Sequence, residues 1–204
     1  METTNYYNDD SKLIIPSLFY DSISNMPIER CQVCQKKIIE TDAEYMIEKV
    51  FRRNPISGKM EVMFEFAICF SCALTFVNSY SAQSKENLQR YFAEHLEGRI
   101  THIFQKSITS EIDIYDHLST CAITGKKVTE LEEYQIIGRF RGGFLKLDEP
   151  PFLIGANSMD DVADLLSNET IDNMDDFTGK YLTGPPEFRD FFKSPRRRPV
   201  LIWC

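Results

Sequence analysis

No apolar run in this sequence approaches the ~20 residues that a membrane-spanning helix needs. The first twenty residues, METTNYYNDDSKLIIPSLFY, lack the basic start and continuous apolar stretch of a secretory signal. Positive charge is also in deficit: 23 Lys and Arg stand against 31 Asp and Glu, for a net charge of −8. That balance disfavours broad attraction to nucleic acid or anionic lipid, although a local basic patch can still bind a polyanion. Histidine occurs three times (His95, His102, His117), never in an H-E-x-x-H or H-x-E setting. No glycine-rich phosphate loop follows a strand pattern. Arg141-Gly-Gly-Phe144 occurs once, between strand-like segments, and reads as a hairpin turn. The carboxylates fall on helix-like faces, where solvation is the default. The expected compartment is the cytoplasm, where paired cysteines serve as metal ligands rather than disulfides.

What the sequence does have is packing material and four well-placed thiols. With 204 residues, 43% of them hydrophobic, including 15 Phe and 9 Tyr, the chain can bury a core as one domain or two small ones. Cys31-Gln-Val-Cys34 and Cys69-Phe-Ser-Cys72 are two C-x-x-C pairs separated by thirty-four residues. Four thiolates close the tetrahedral shell of one structural Zn²⁺ and leave no open position for catalysis. The metal ligands are therefore Cys31, Cys34, Cys69 and Cys72, with no catalytic residues assigned. Lys36 and Lys37 follow the first pair and help to hold thiolate charge.

Between the pairs the pattern is that of a β-hairpin. Tyr45, Ile47 and Phe51 share one face, with Lys49 interrupting, and Asn54-Pro-Ile-Ser-Gly58 is a turn cluster. Met60, Val62, Phe64, Phe66 and Ile68 then alternate with Glu61 and Glu65 on the opposite face. After Cys72 the spacing of Ala73, Leu74, Phe76, Val77 and Tyr80 is helical. A helix start is expected at Ser84, followed by a stripe of Leu88, Tyr91, Phe92 and Leu96.

Knuckle, hairpin, second knuckle at a helix start, then helix: over residues 28–96 this order resembles a treble-clef zinc finger. The resemblance implies a four-cysteine zinc site and implies no particular function. Rubredoxin also holds iron with two C-x-x-C pairs, but its knuckles are equivalent and usually followed by Gly. Here Gln35 and Ala73 follow, which favours zinc.

Ninety positions on, a similar pattern returns. Cys31-Gln-Val-Cys-Gln-Lys-Lys-Ile-Ile-Glu40 faces Cys121-Ala-Ile-Thr-Gly-Lys-Lys-Val-Thr-Glu130, and Glu44-Tyr45-Met-Ile47 faces Glu133-Tyr134-Gln-Ile136. A strand over Tyr134–Arg141, a Gly142-Gly143 turn and a run at Phe144–Leu147 follow. Phe152-Leu-Ile-Gly155-Ala-Asn-Ser158 then stands where the second cysteine pair would be, with Ser158 expected as a helix N-cap. Thr124, Gly155 and Ser158 replace three of the four ligands, leaving Cys121. Chance similarity between strand–helix segments is the competing reading. Cys121 is expected to be a small buried hydrophobe; a nucleophilic role would need a base, and His117 precedes it by four residues.

The expected fold is α+β: two small hairpin-plus-helix units, the first treble-clef-like. The divisions are a tail over 1–26, a zinc unit over 27–104, a metal-free copy with acidic helices over 105–193, and a basic then apolar tail over 194–204. Leu13, Ile14, Ile15, Leu18, Phe19 and Tyr20 in the first tail are expected to dock on the chain's own surface, the alternative being a short linear segment that docks on a partner. Residues 97–120 read as a packed connector. Asp148 to Asp176 contains nine acidic residues and no basic one. Arg196, Arg197 and Arg198 are candidates to pair with that acidic surface or to contact a polyanion, and Trp203 is a candidate anchor. The leading functional class is a zinc-stabilised protein-interaction or regulatory module with an unidentified protein partner. A nucleic-acid- or ribosome-associated factor and an enzyme with a scattered site are the alternatives.

Overall fold

A computed structural model describes residues 13–109 and 113–181. It is a mixed helix and antiparallel-sheet structure. β2 (Glu44–Arg53) and β3 (Met60–Cys69) form the hairpin expected from the alternating apolar residues, turning at Asn54–Lys59. The Asn54 side chain accepts from the backbone N–H groups of Ile56 and Ser57, an Asx turn that fixes the reversal. β2 then pairs along its other edge with β4 (Glu133–Arg141), so the two hairpin segments belong to one sheet. β4 in turn carries β6 (Phe152–Gly155) at one end and β5 (Phe144–Leu145) at the other. β1 (Leu13–Ile14) extends the sheet beyond β5.

With neighbours on both edges and both faces covered, β2 is buried from Tyr45 to Phe51. This explains why Lys49 does not interrupt the strand. Its ammonium lies 2.8 Å from Glu65 Oε2 and donates to the Tyr20 carbonyl at 2.6 Å. Glu65 is therefore turned into the structure rather than toward solvent as its alternation with Glu61 suggests.

On this face the N-terminal segment docks as expected. Phe19 is fully buried and meets Phe140 edge to face at 5.1 Å. On the other face lie the helices. α1 (Phe70–Asn78) starts at Cys69, and α2 (Ala82–Thr109) follows after a break at Ser79–Ser81. α3 (Ile114–His117) is a single turn. α4 (Ala156–Ala163) and α5 (Asn168–Tyr181) complete the chain described.

Two expected helix starts move. The Ser81 hydroxyl, not Ser84, accepts from the Ser84 N–H at 3.1 Å as a cap, and Ser84 is buried inside the first turn. Ser158 likewise lies inside α4, whose N-cap is Gly155. In both cases the helix begins a few residues before the serine that looks like its cap, and at α4 the strand β6 runs directly into it. Glu149, from the acidic run, pairs with Arg139 and with Lys146.

Candidate metal centre

The first cysteine pair sits in a tight turn. The Cys31 N–H donates to the Lys36 carbonyl at 3.0 Å and the Gln35 N–H donates to the Cys31 carbonyl at 2.8 Å. Closing this turn puts Gln35 at φ 61°, the left-handed region that L side chains rarely adopt. The Gln32 N–H donates to the Ala67 carbonyl, and the Gln32 side-chain oxygen accepts from the Ala67 N–H. The knuckle is thereby tied to the end of β3. Cys69 closes β3 and is the N-cap of α1, so Cys72 falls in the first turn of the helix and faces back toward the knuckle.

These constraints bring all four sulfurs to within 4.8 Å of one another. Cys34 Sγ and Cys69 Sγ are 3.8 Å apart, the edge expected of a tetrahedron with Zn–S near 2.3 Å. Cys31 and Cys69 are buried, while Cys34 and Cys72 lie nearer the surface. The five cysteines among the described residues carry free thiols.

The electrostatics fit a cation. Burial pushes the Cys31 thiol up, against the N–H groups of Cys69, Cys34 and Val33 that favour its thiolate. Burial also raises Cys72, and the neighbouring thiols raise it further. At Cys69 burial is outweighed by the Ser71 hydroxyl, the Cys72 N–H and the adjoining thiols, which bring it down to about 7. One thiolate therefore forms readily and opposes the next. A divalent ion removes that conflict, and a set of four soft donors suits zinc.

Cys121 is buried in a second turn, with its sulfur 3.8 Å from Ser158 Oγ. His117 ends α3 and is buried, and Cys121 lies beyond that helix, so the two do not share a helical face. Arg52 pairs with Glu133 and Arg53 with Glu132. Arg196, Arg197, Arg198 and Trp203 lie outside the described residues.

Two features were missed in the sequence. A cleft of about 680 Å³ adjoins the cysteine cluster, lined by Lys36, Lys37, Ile38, Ala43, Cys69 and Phe70 among others. Beside it Phe70 and Leu74 stand 39% and 41% exposed on the outer side of α1. The i, i+4 spacing of these two was legible, but it merged with the core stripe of Ala73 and Phe76. No helix of the described residues is long and apolar enough to cross a membrane. Comparison with profiles of known protein families, with curated proteins and with solved structures finds no match.

Proposed function

We propose that this chain is a zinc-stabilised protein-interaction module of the cytoplasm, its first half a treble-clef-like finger. Cys31, Cys34, Cys69 and Cys72 would hold the ion, which would lock the knuckle, the end of β3 and the start of α1 together. The observation that carries the interaction reading is the exposed Phe70–Leu74 pair on the helix that begins at the metal ligands, next to an open cleft. Large apolar side chains grouped on a rigid element beside a concavity are the usual core of a protein interface. The nucleic-acid alternative is weakened because Arg52 and Arg53, adjacent cations at the end of β2, are committed to Glu133 and Glu132.

The test is affinity capture with mass spectrometry from native lysate, comparing the parent with Phe70→Ser/Leu74→Ser. A stoichiometric protein partner held by the parent and lost by the variant, with bound zinc unchanged in both, is the expected result. Recovery of no stoichiometric partner, or equal recovery by both proteins, counts against the reading.

A further inference from the structure

The contacts across the middle of the molecule come in reciprocal pairs. In the β2–β4 ladder Glu44 stands opposite Arg141 and Arg52 opposite Glu133, and each couple is ion-paired. Glu44 and Arg52 correspond to Glu133 and Arg141 at one constant offset along the chain, so exchanging the two strands turns each ion pair into the other. The aromatic contacts obey the same exchange. Tyr45 stacks on Phe140 at 5.4 Å and 21°, and Phe51 stacks on Tyr134 at 5.1 Å and 23°.

The helices repeat the relationship. The Ser81 N–H donates to Thr170 Oγ1 at 2.9 Å and the Ser167 N–H donates to Ser84 Oγ at 2.8 Å. Ser81 and Ser167 each cap the turn that contains the other residue of its own set, and their hydroxyls meet at 2.8 Å. Asn87 Nδ2 donates to the Leu165 carbonyl, and Asn173 Nδ2 donates to the Ser79 carbonyl. Such self-complementary contacts, residue i to j and j′ to i′, are what a two-fold interface between identical subunits produces.

The correspondence continues into the knuckles. The Cys121 N–H donates to the Lys126 carbonyl and the Gly125 N–H to the Cys121 carbonyl, as Cys31, Lys36 and Gln35 do. Gly125 has φ 72°, matching Gln35. The Ala122 N–H donates to the Leu153 carbonyl as that of Gln32 does to Ala67. The Gly155 N–H donates to Cys121 Sγ at 3.4 Å, and the Cys69 N–H donates to Cys31 Sγ at the same distance. Gly155 caps α4 in the extended conformation in which Cys69 caps α1.

We infer that the chain is a fused pseudo-dimer of two copies of one zinc-binding unit, and that Cys121, Thr124, Gly155 and Ser158 mark a second tetrahedral thiolate site for a zinc-like divalent ion, from which three ligands have been replaced. The assignment of zinc to this second position rests on the zinc reading of the first. The space has been refilled rather than left open. A Cβ at Gly155 would meet the Leu131 methyls at 3.1 and 3.3 Å, and the residue corresponding to Leu131 beside the first site is the smaller Thr41. Ser158 Oγ already stands from Cys121 Sγ at the separation found between Cys34 and Cys69 sulfurs.

The test rebuilds the second site in the full chain. Thr124→Cys/Gly155→Cys/Ser158→Cys, and the same variant with Leu131→Thr to relieve crowding, are purified with zinc beside the parent. Bound zinc is counted, and cobalt(II) is titrated with its visible tetrahedral-thiolate absorption as the readout. The expected result is one zinc in the parent and two in at least one variant, with the cobalt absorption per chain doubled. Variants that hold only as much metal as the parent, or that stay unfolded when refolded with excess zinc, overturn the inference. A parent without metal beside a variant that binds one overturns the reading of the first site and upholds this one.

Discussion

Cys34 Sγ stands 3.8 Å from Cys69 Sγ, joining a knuckle near the start of the chain to the end of the hairpin's second strand. Metal binding at this point would couple directly to folding, because the ligands come from both ends of the β2–β3 hairpin and from the first turn of α1. Structural zinc contributes roughly 10–16 kcal/mol in isolated fingers, against a typical domain stability of about 5–15 kcal/mol. Strong chelator should therefore remove one zinc per chain and abolish the cooperative melt. Since β2 is the central strand, loss should reach β4 rather than stop at the finger. Circular dichroism melts with parallel metal analysis check this; a metal-free protein melting as before would refute it. Cys34→Ser and Cys72→Ser should reproduce the effect of chelator, and Cys121→Ser should keep the metal.

The Lys49–Glu65 pair yields a second expectation. Its side chains are only 5% and 13% exposed, and Glu65 also accepts from the N–H and hydroxyl of Ser22. Removing one partner of a buried pair leaves an uncompensated charge, at a cost of about 3–5 kcal/mol. Lys49→Met should destabilise by that order, whereas Lys49→Met/Glu65→Leu should recover most of it. Urea unfolding of the four proteins in a double-mutant cycle gives the coupling directly, and additive single effects would show that the pair is not coupled.

Lys49 and Glu65 also show where sequence reading stops. The clustering of the four cysteines, the hairpin and the docking of Leu13 to Phe19 were legible because spacing and alternation are local. Lys49 looked like an interruption because one strand cannot report a charge waiting on its neighbour. The pairing of β2 with β4 was hidden for the same reason. Its determinants, Glu44 with Arg141 and Arg52 with Glu133, are complementary only once the strands lie antiparallel. The helix starts were misplaced because Ser84 and Ser158 resemble caps, while α2 is capped by Ser81 and β6 enters α4 directly through Gly155.

Glu48 gives the pH dependence a sign. It is fully buried between Phe66 and Ile137 on the neighbouring strands. Burial holds its carboxyl well above the ordinary range, and the neighbouring Gln135 side chain offsets this only in part. The folded state thus prefers the protonated acid. Its contribution is complete below the unfolded value near 4.5 and is lost as pH rises through the folded value. Each unit of elevation corresponds to about 1.4 kcal/mol once both states are ionised. Glu44 acts in the opposite sense: the hydrogen bond it accepts from Arg141 lowers it, so its contribution is lost as pH falls through its folded value. Glu48→Gln should therefore raise the melting temperature at neutral and mildly alkaline pH and flatten its decline there, leaving the acid limb unchanged. Parallel pH–melting curves that keep the same alkaline slope would show that Glu48 is not the group responsible.

Gly138 offers the most direct handle on the N-terminal segment. It lies on β4 opposite Ile47, and a Cβ at this position would meet Phe19 Cζ at 2.8 Å and Phe140 Cε2 at 2.9 Å. Both rings are fully buried and in edge-to-face contact, so neither can step aside without disturbing the other. Overpacking of a closed core typically costs about 1–3 kcal/mol. For Gly138→Ala the strain should be relieved by displacing Phe19, because its segment is held to the sheet by the short β1–β5 pairing, whereas Phe140 lies in a central strand. The variant should lose about that much stability and show faster amide exchange and earlier proteolysis around residues 13–27, with the β2–β4 amides still protected. Phe19→Leu in the Gly138→Ala background should restore part of the loss, although the same change alone destabilises the parent. If Phe19→Leu is equally costly in both backgrounds, the close approach of Phe19 to Gly138 is not what holds the segment in place.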